Sequence, residues 1–154
     1  MSEEGDAKTL ENARQDAREG KAPTTQAGEF IKEEMHHIRE GKHGARSTKQ
    51  AIAIGLSKAR RAGVKLPPPG KRKASEKARA SAKRAYKVGQ GAAPRRKPSA
   101  KRSRAIRSVL MHEGHEAASH EALSTQARRA AARRTFAERS AAARKAARTC
   151  AESS

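Results

Sequence analysis

Lysine and arginine are the residues of this sequence with the clearest chemistry, because they are concentrated in one block. Residues 41–111 contain 22 Lys and Arg and a single acid, Glu76, whereas the whole chain of 154 residues carries 36 Lys and Arg against 16 Asp and Glu. Charges of one sign at this density repel one another, and a polyanion relieves that repulsion. The pattern therefore predicts that this block binds a polyanion.

Nucleic acid is the polyanion that the composition favours. The basic stretches lack the apolar stripe of a membrane-surface helix, and aromatic residues, at 2% of the chain, are too few for base-stacking platforms. We expect contacts to the phosphates of duplex DNA with little base readout. The expected phosphate-binding residues are Lys58, Arg60, Arg61, Lys65, Lys71, Arg72, Lys73, Arg95, Arg96, Lys97, Lys101, Arg102 and Arg104.

Histidine offers a second kind of chemistry, metal binding, but the spacing of the histidines does not favour it. His112 and His115 are three residues apart, whereas a helical zinc motif needs four, and Gly114 between them weakens a helix. The remaining histidines are interpreted in the same way, as solvated polar residues: His36, His37, His43 and His120. We therefore expect no metal and no cofactor.

Catalysis is disfavoured by the scarcity of large apolar residues. Leu, Ile, Val and Phe together make up 15 of the 154 residues, too few to enclose a water-excluding pocket for a small-molecule substrate. Neither a Ser-His-Asp arrangement nor a nucleotide-binding glycine loop is present. Cys150 is the only cysteine, which excludes an internal disulfide. The sequence predicts a protein that is not an enzyme.

The chain also carries no apolar run long enough to cross a membrane, and its first six residues are polar and acidic, unlike a signal peptide. We expect a soluble, cytoplasmic protein.

One pair of helices is predicted to position the basic residues. Over 25–40, Ile31, Met35 and Ile38 form an apolar stripe at helical spacing, and a second helix begins at a capping box from Ser47 to Gln50. Together they predict a small αα-hairpin over about 25–63. Its expected core consists of Phe30, Ile31, Met35, Ile38, Ile52, Ile54 and Leu56.

The rest of the chain is expected to be disordered or only locally helical, so the predicted class is mainly α with extensive disorder. Residues 1–24 are interpreted as an acidic flexible arm and residues 64–102 as a basic linker rich in Pro, Gly, Ala and Lys. Residues 103–154 are predicted to form an Ala/Arg-rich helical tail, with one helix over 121–149. These helices are not expected to form one compact core.

The second predicted helix carries the motif Lys-Gln-Ala-Ile-Ala-Ile-x-Leu-Ser-x-Ala-Arg, from Lys49 to Arg60. In this motif the sequence resembles a family of small, basic, uncharacterised bacterial proteins. The resemblance covers about 30–110, with a looser similarity over Gly114–Ser124. It implies a bacterial, cytoplasmic setting and carries no catalytic residue.

The predicted function is nonspecific DNA binding, in the manner of a nucleoid-associated or linker-histone-like protein, with the hairpin as a small folded anchor. Two alternatives stay open: an RNA- or ribosome-associated basic protein, and a hydrophilic stress-protective disordered protein. The sequence predicts no oligomeric state.

Overall fold

The computed structural model describes residues 2–152, and the side chains of residues 6–152. This part of the chain is helical and contains no strand. Its elements are α1 (Ser2–Arg18), α2 (Pro23–Arg39), α3 (Thr48–Arg61), α4 (Glu76–Gly89), α5 (Ala100–His112), a 3-10 helix (Glu116–Ala118), α6 (His120–Ala132) and α7 (Phe136–Glu152). The mainly α class is confirmed. The extensive disorder expected from composition is not supported, because helices occupy most of the chain.

The chain divides into two compact units, one up to Ala118 and one from Ser119 onward. The first unit holds α1 to α5 and the 3-10 helix, and the second holds α6 and α7. The sequence instead predicts boundaries after residues 24, 63 and 102.

Helices α2 and α3 pack against each other and form the hairpin of the first unit. Phe30, Met35 and Ile38 are buried, whereas the other expected core residues are only partly buried. Gly41 ends α2 with a φ of +73°, a left-handed conformation that glycine adopts without strain. The Lys42 N–H then donates to the carbonyl of His37 at 3.0 Å, which turns the chain back over the last turn of α2.

Residues 2–18, expected to be a flexible arm, form α1 and pack on α2. Ala13 is 3% exposed and belongs to one buried cluster with residues of α2, α3 and the segment after α3: Ala27, Phe30, Ala59, Val64 and Leu66. Three of the six residues are alanines. Small side chains allow helices to approach closely, so their many dispersion contacts offset the shortage of large apolar residues.

Helix α4 lies within the predicted basic linker. The Ser75 hydroxyl accepts the N–H of Ala78 at 3.3 Å and caps its first turn. Ala82 and Ala85 are buried where α4 packs on α3, and a β-carbon at Gly89 would overlap the carbonyl oxygen of Arg60. The two helices therefore meet backbone to backbone at the end of α4.

The α2–α3 loop is held by hydrogen bonds to residues 110–118. Backbone N–H groups of Gly44 and Ala45 donate to the carbonyls of Leu110 (2.8 Å) and Gly114 (3.0 Å). The Arg39 guanidinium and the Thr48 hydroxyl donate to carbonyls of the 3-10 helix, Ala118 at 2.8 Å and Ala117 at 2.7 Å. These bonds fix the loop in the first unit.

The second unit consists of two helices where the sequence predicts one over 121–149. The break falls before Phe136, because Thr135 and Glu138 form a capping box. The Thr135 hydroxyl accepts the Glu138 N–H at 3.2 Å, and the Glu138 carboxylate accepts the Thr135 N–H at 2.8 Å. None of the helices over residues 2–152 combines the length and apolar character needed to span a membrane.

Candidate nucleic-acid interface

Eleven of the thirteen residues expected to bind phosphate are exposed to solvent. They lie at the end of α3, in the segments on either side of α4, and in the first turns of α5: Arg61, Lys65, Lys71, Arg72, Lys73, Arg95, Arg96, Lys97, Lys101, Arg102 and Arg104.

Arg60 is not on the surface. Only 7% of the residue is exposed, and its guanidinium donates to the carbonyls of Leu66 (3.1 Å) and Pro67 (3.3 Å). Burial lowers the pKa of this guanidinium, although an arginine stays protonated in proteins. Because its N–H groups donate to backbone carbonyls of the segment after α3, we remove Arg60 from the phosphate-binding set.

Lys58 is engaged within the hairpin. Its ammonium lies 2.8 Å from Oε2 of Glu34, a side chain of α2 that is only 1% exposed. The contact is an ion pair without hydrogen-bond alignment, because Oε2 has no hydrogen-bond partner among the described residues. We therefore also remove Lys58 from the set.

The structure brings two distant parts of the predicted set together at the end of α3. The Arg95 guanidinium donates to the carbonyl of Arg61 at 3.0 Å, and the side-chain amide of Gln90 donates to the carbonyl of Gly63 at 3.0 Å. The C-terminal end of a helix carries partial negative charge, which offsets part of the repulsion between these cations. Arg61 and the run beginning at Arg95 therefore belong to one surface.

Helix α4 adds four basic residues that the sequence analysis left out. Lys77, Lys83, Arg84 and Lys87 are exposed on the side of α4 opposite its buried alanines, and we call them the α4 basic face. At 1.5 Å per residue this face extends for about 15 Å. The available signal was Ser75, three residues before Ala78, followed by small residues at helical spacing. A count of large apolar residues does not detect this packing face, because its buried residues are alanines.

The basic residues from 61 to 104 have no acid paired with them in the part of the chain that the structure describes. Two acids of α1 are paired close by in the chain instead: Glu11 with Arg18 at 2.7 Å, and Asp16 with Lys21 at 2.8 Å. The positive potential of the basic segment is therefore not neutralised locally.

The second unit is basic by itself. Its eight Lys and Arg are exposed and belong to α6, α7 and the turn between them: Arg128, Arg129, Arg133, Arg134, Arg139, Arg144, Lys145 and Arg148.

Two of the histidines expected to be solvated are not. His37 is buried, with 7% of the residue exposed, and burial lowers its pKa. His43 is half-buried, and both lie beside the buried carboxylate of Glu34. The spacing of these residues gave no sign of this, because the turn after α2 is what brings His43 back.

A comparison with protein families matches part of the chain. Residues 22–73, which include α2, α3 and the segment after α3, match a family of unknown function (DUF6496). This agrees with the resemblance to an uncharacterised family over part of its expected range. No curated protein matches the chain. No solved structure matches it either. The chain thus shares a stretch of about a third of its length with a family whose description states no activity.

Proposed function

We propose that this protein binds duplex DNA nonspecifically through the phosphate backbone, as a nucleoid-associated or linker-histone-like protein of the bacterial cytoplasm. The α4 basic face is the observation that carries the proposal. Four cations lie on one side of a helix whose other side buries Ala82 and Ala85, and none of them is paired with an acid among the side chains of residues 6–152. We propose a binding role without catalysis.

Fixing these cations on a packed helix favours binding. A disordered polycation loses backbone entropy when it settles along a duplex, at about 1–2 kcal/mol for each ordered residue. Helix α4 is already ordered by the packing of Ala82, Ala85 and Gly89. Its backbone entropy is therefore lost during folding and not during DNA binding. The exposed cations before and after α4 extend the same charged segment, from Lys71 to Arg104.

The test is the salt dependence of binding to a duplex of random sequence. For duplex DNA, log K falls with log salt at a slope of about −0.9 for each phosphate neutralised. The variant Lys77→Gln, Lys83→Gln, Arg84→Gln, Lys87→Gln removes the α4 basic face. If all four cations contact phosphates, the slope becomes shallower by about 3.6, four times that value.

A matched control removes the same number of exposed cations from the acidic part of the first unit. Lys8→Gln, Arg14→Gln, Arg18→Gln, Lys32→Gln changes the net charge equally, and we expect it to leave the slope nearly unchanged. An equal loss in both variants would show that only net charge matters and would contradict an α4 interface. So would the absence of any binding at low salt.

The same assay separates DNA from RNA. Structured RNA presents the same phosphate charge in A-form geometry. We expect duplex DNA to displace labelled DNA at lower concentration than structured RNA does. The reverse order would make RNA the partner.

A further inference from the structure

Three side chains with metal-binding atoms meet at the end of α2. Glu34, His37 and His43 each offer one ligand atom, and these three atoms lie within 4.8 Å of one another. Glu34 and His37 share a face of α2 because they are three residues apart. The glycine turn at Gly41 and the hydrogen bond from Lys42 to His37 return the chain, so that His43 completes the group.

The contact between His43 and Glu34 leaves a place for a proton or a metal ion between its two atoms. Nε2 of His43 is 3.2 Å from Oε1 of Glu34, and Nδ1 of the same ring is 3.1 Å from the carbonyl oxygen of Gly44. When Nδ1 donates to this carbonyl, which only accepts, Nε2 of the neutral ring is a lone pair, whereas a protonated ring donates from both nitrogens. Two lone pairs then face each other unless a proton or a metal ion lies between them.

The same arrangement is typical of metal-binding histidines. Such a histidine usually donates its other ring N–H to a carbonyl or carboxylate, which fixes the ring and the tautomer. The 3.2 Å separation is also close to that of two ligands on one tetrahedral zinc ion, about 3.3 Å for bonds of about 2.0 Å.

Two buried carboxylate oxygens without a hydrogen-bond partner lie at or beside the group. Oε2 of Glu34 and Oε1 of Glu33 have none among the described residues, although both side chains are more than nine-tenths buried. Oε1 of Glu33 lies 4.0 Å from Nε2 of His37, beside the cluster. Burying a carboxylate is costly, and at Glu34 the Lys58 ammonium already offsets part of that cost, a role that a divalent cation on Oε1 would share.

We propose that His37, His43 and Glu34 form a binding site for Zn²⁺. Two imidazoles with one carboxylate are a known zinc ligand set, which leaves a fourth tetrahedral position for water. Mg²⁺ and Ca²⁺ prefer oxygen ligands alone and fit the two nitrogens poorly. The bound ion would link α2 to the α2–α3 loop, and it is independent of the nucleic-acid interface.

The Lys58 ammonium opposes metal binding at Glu34. Its ammonium is 2.8 Å from the other oxygen of Glu34, so a divalent ion on Oε1 and the ammonium on Oε2 repel each other. Removing this positive charge should therefore tighten zinc binding. A cluster with a purely structural role predicts no such gain.

The experiment is calorimetric titration of the full-length protein with zinc chloride, without nucleic acid, together with absorption spectra of the Co²⁺-loaded protein. We expect one tight equivalent and the visible bands of tetrahedral Co²⁺. His43→Ala should weaken binding by about 100-fold or more, because it removes a ligand, and loss of a second-sphere partner alone costs about 10–100-fold. His36→Ala is the matched control, since His36 is exposed on the neighbouring position of α2.

The zinc affinities of the variants, compared with that of the parent protein, test the site. Loss with His43→Ala, no change with His36→Ala and tighter binding with Lys58→Gln would support the site. Circular dichroism establishes that each variant is folded, and His37→Gln replaces His43→Ala if the latter unfolds. Equal affinity in the parent and both ligand variants, or no tight equivalent in the parent, would overturn it.

Discussion

Gly55 of α3 lies directly against the backbone of Ile31 in α2. A β-carbon at Gly55 would be 2.8 Å from Cα of Ile31, closer than side-chain carbons approach in proteins. The hairpin therefore depends on the missing side chain at this crossing point. Gly28, also in α2, has no atom within 4 Å of the corresponding position.

Alanine at these two glycines should have opposite effects on stability. Gly55→Ala forces the helices apart and should lower the free energy of unfolding by about 1–3 kcal/mol. Gly28→Ala meets open space and should raise it by up to about 1 kcal/mol, because alanine favours helix over glycine. Urea unfolding followed by circular dichroism measures both. A gain in stability for Gly55→Ala would contradict the close packing of α2 and α3.

Docking of α4 on α3 can be tested at Gly89. Gly89→Ala places a β-carbon on the carbonyl of Arg60 and should cost about 1–3 kcal/mol. Tyr86 is the only tyrosine and is half-buried on α4, so its fluorescence should become easier to quench with iodide. Gly70→Ala is the control, because Gly70 has no atom within 4 Å of a β-carbon. Unchanged quenching in Gly89→Ala would mean that α4 does not dock there.

Substituting the two neighbouring arginines at the end of α3 should affect stability at one position and DNA binding at the other. Arg60→Met leaves the carbonyls of Leu66 and Pro67 without their donor and should destabilise the protein by about 1–3 kcal/mol. It should leave the salt slope of DNA binding unchanged while the protein stays folded. Arg61→Met, at an exposed position, should change stability by less than about 0.5 kcal/mol and reduce the slope by about 0.9. The reverse pattern would place Arg60 at the interface.

The break between α6 and α7 should depend on the capping box. Thr135→Ala removes the hydroxyl that accepts the Glu138 N–H, and loss of such a cap costs about 1 kcal/mol of helix stability. Amide hydrogen exchange in the first turn of α7 should become faster. Thr125→Ala is the control, because Thr125 lies inside α6, where alanine is the better helix former. Equal exchange in both variants would show that the cap does not hold this turn.

Several elements could be predicted from the sequence because their signals are local. Ser47 accepts the N–H of Gln50 at 3.2 Å, as its spacing predicts, although the Gln50 side chain accepts from Arg46 rather than from Ser47. Met35 and Ile38 of the predicted apolar stripe are buried, as is Phe30 beside it, whereas Ile31 is only partly buried. The same local rule applies at Thr135 and Glu138, whose spacing is that of a capping box and marks the start of α7.

The sequence by itself determined the charge, the helical class and the hairpin, since these follow from composition and from spacing over a few residues. Only the tertiary structure decided which individual polar groups are buried, paired or exposed. Arg60 is buried while Arg61 is exposed, and Lys58 is paired with Glu34, because α2, α4 and residues 64–69 cover one side of α3. Helices α1 and α4 are held by alanines and a glycine, whose contribution depends on how closely two backbones approach. That distance is a property of the packed helices, and no pattern within one helix encodes it.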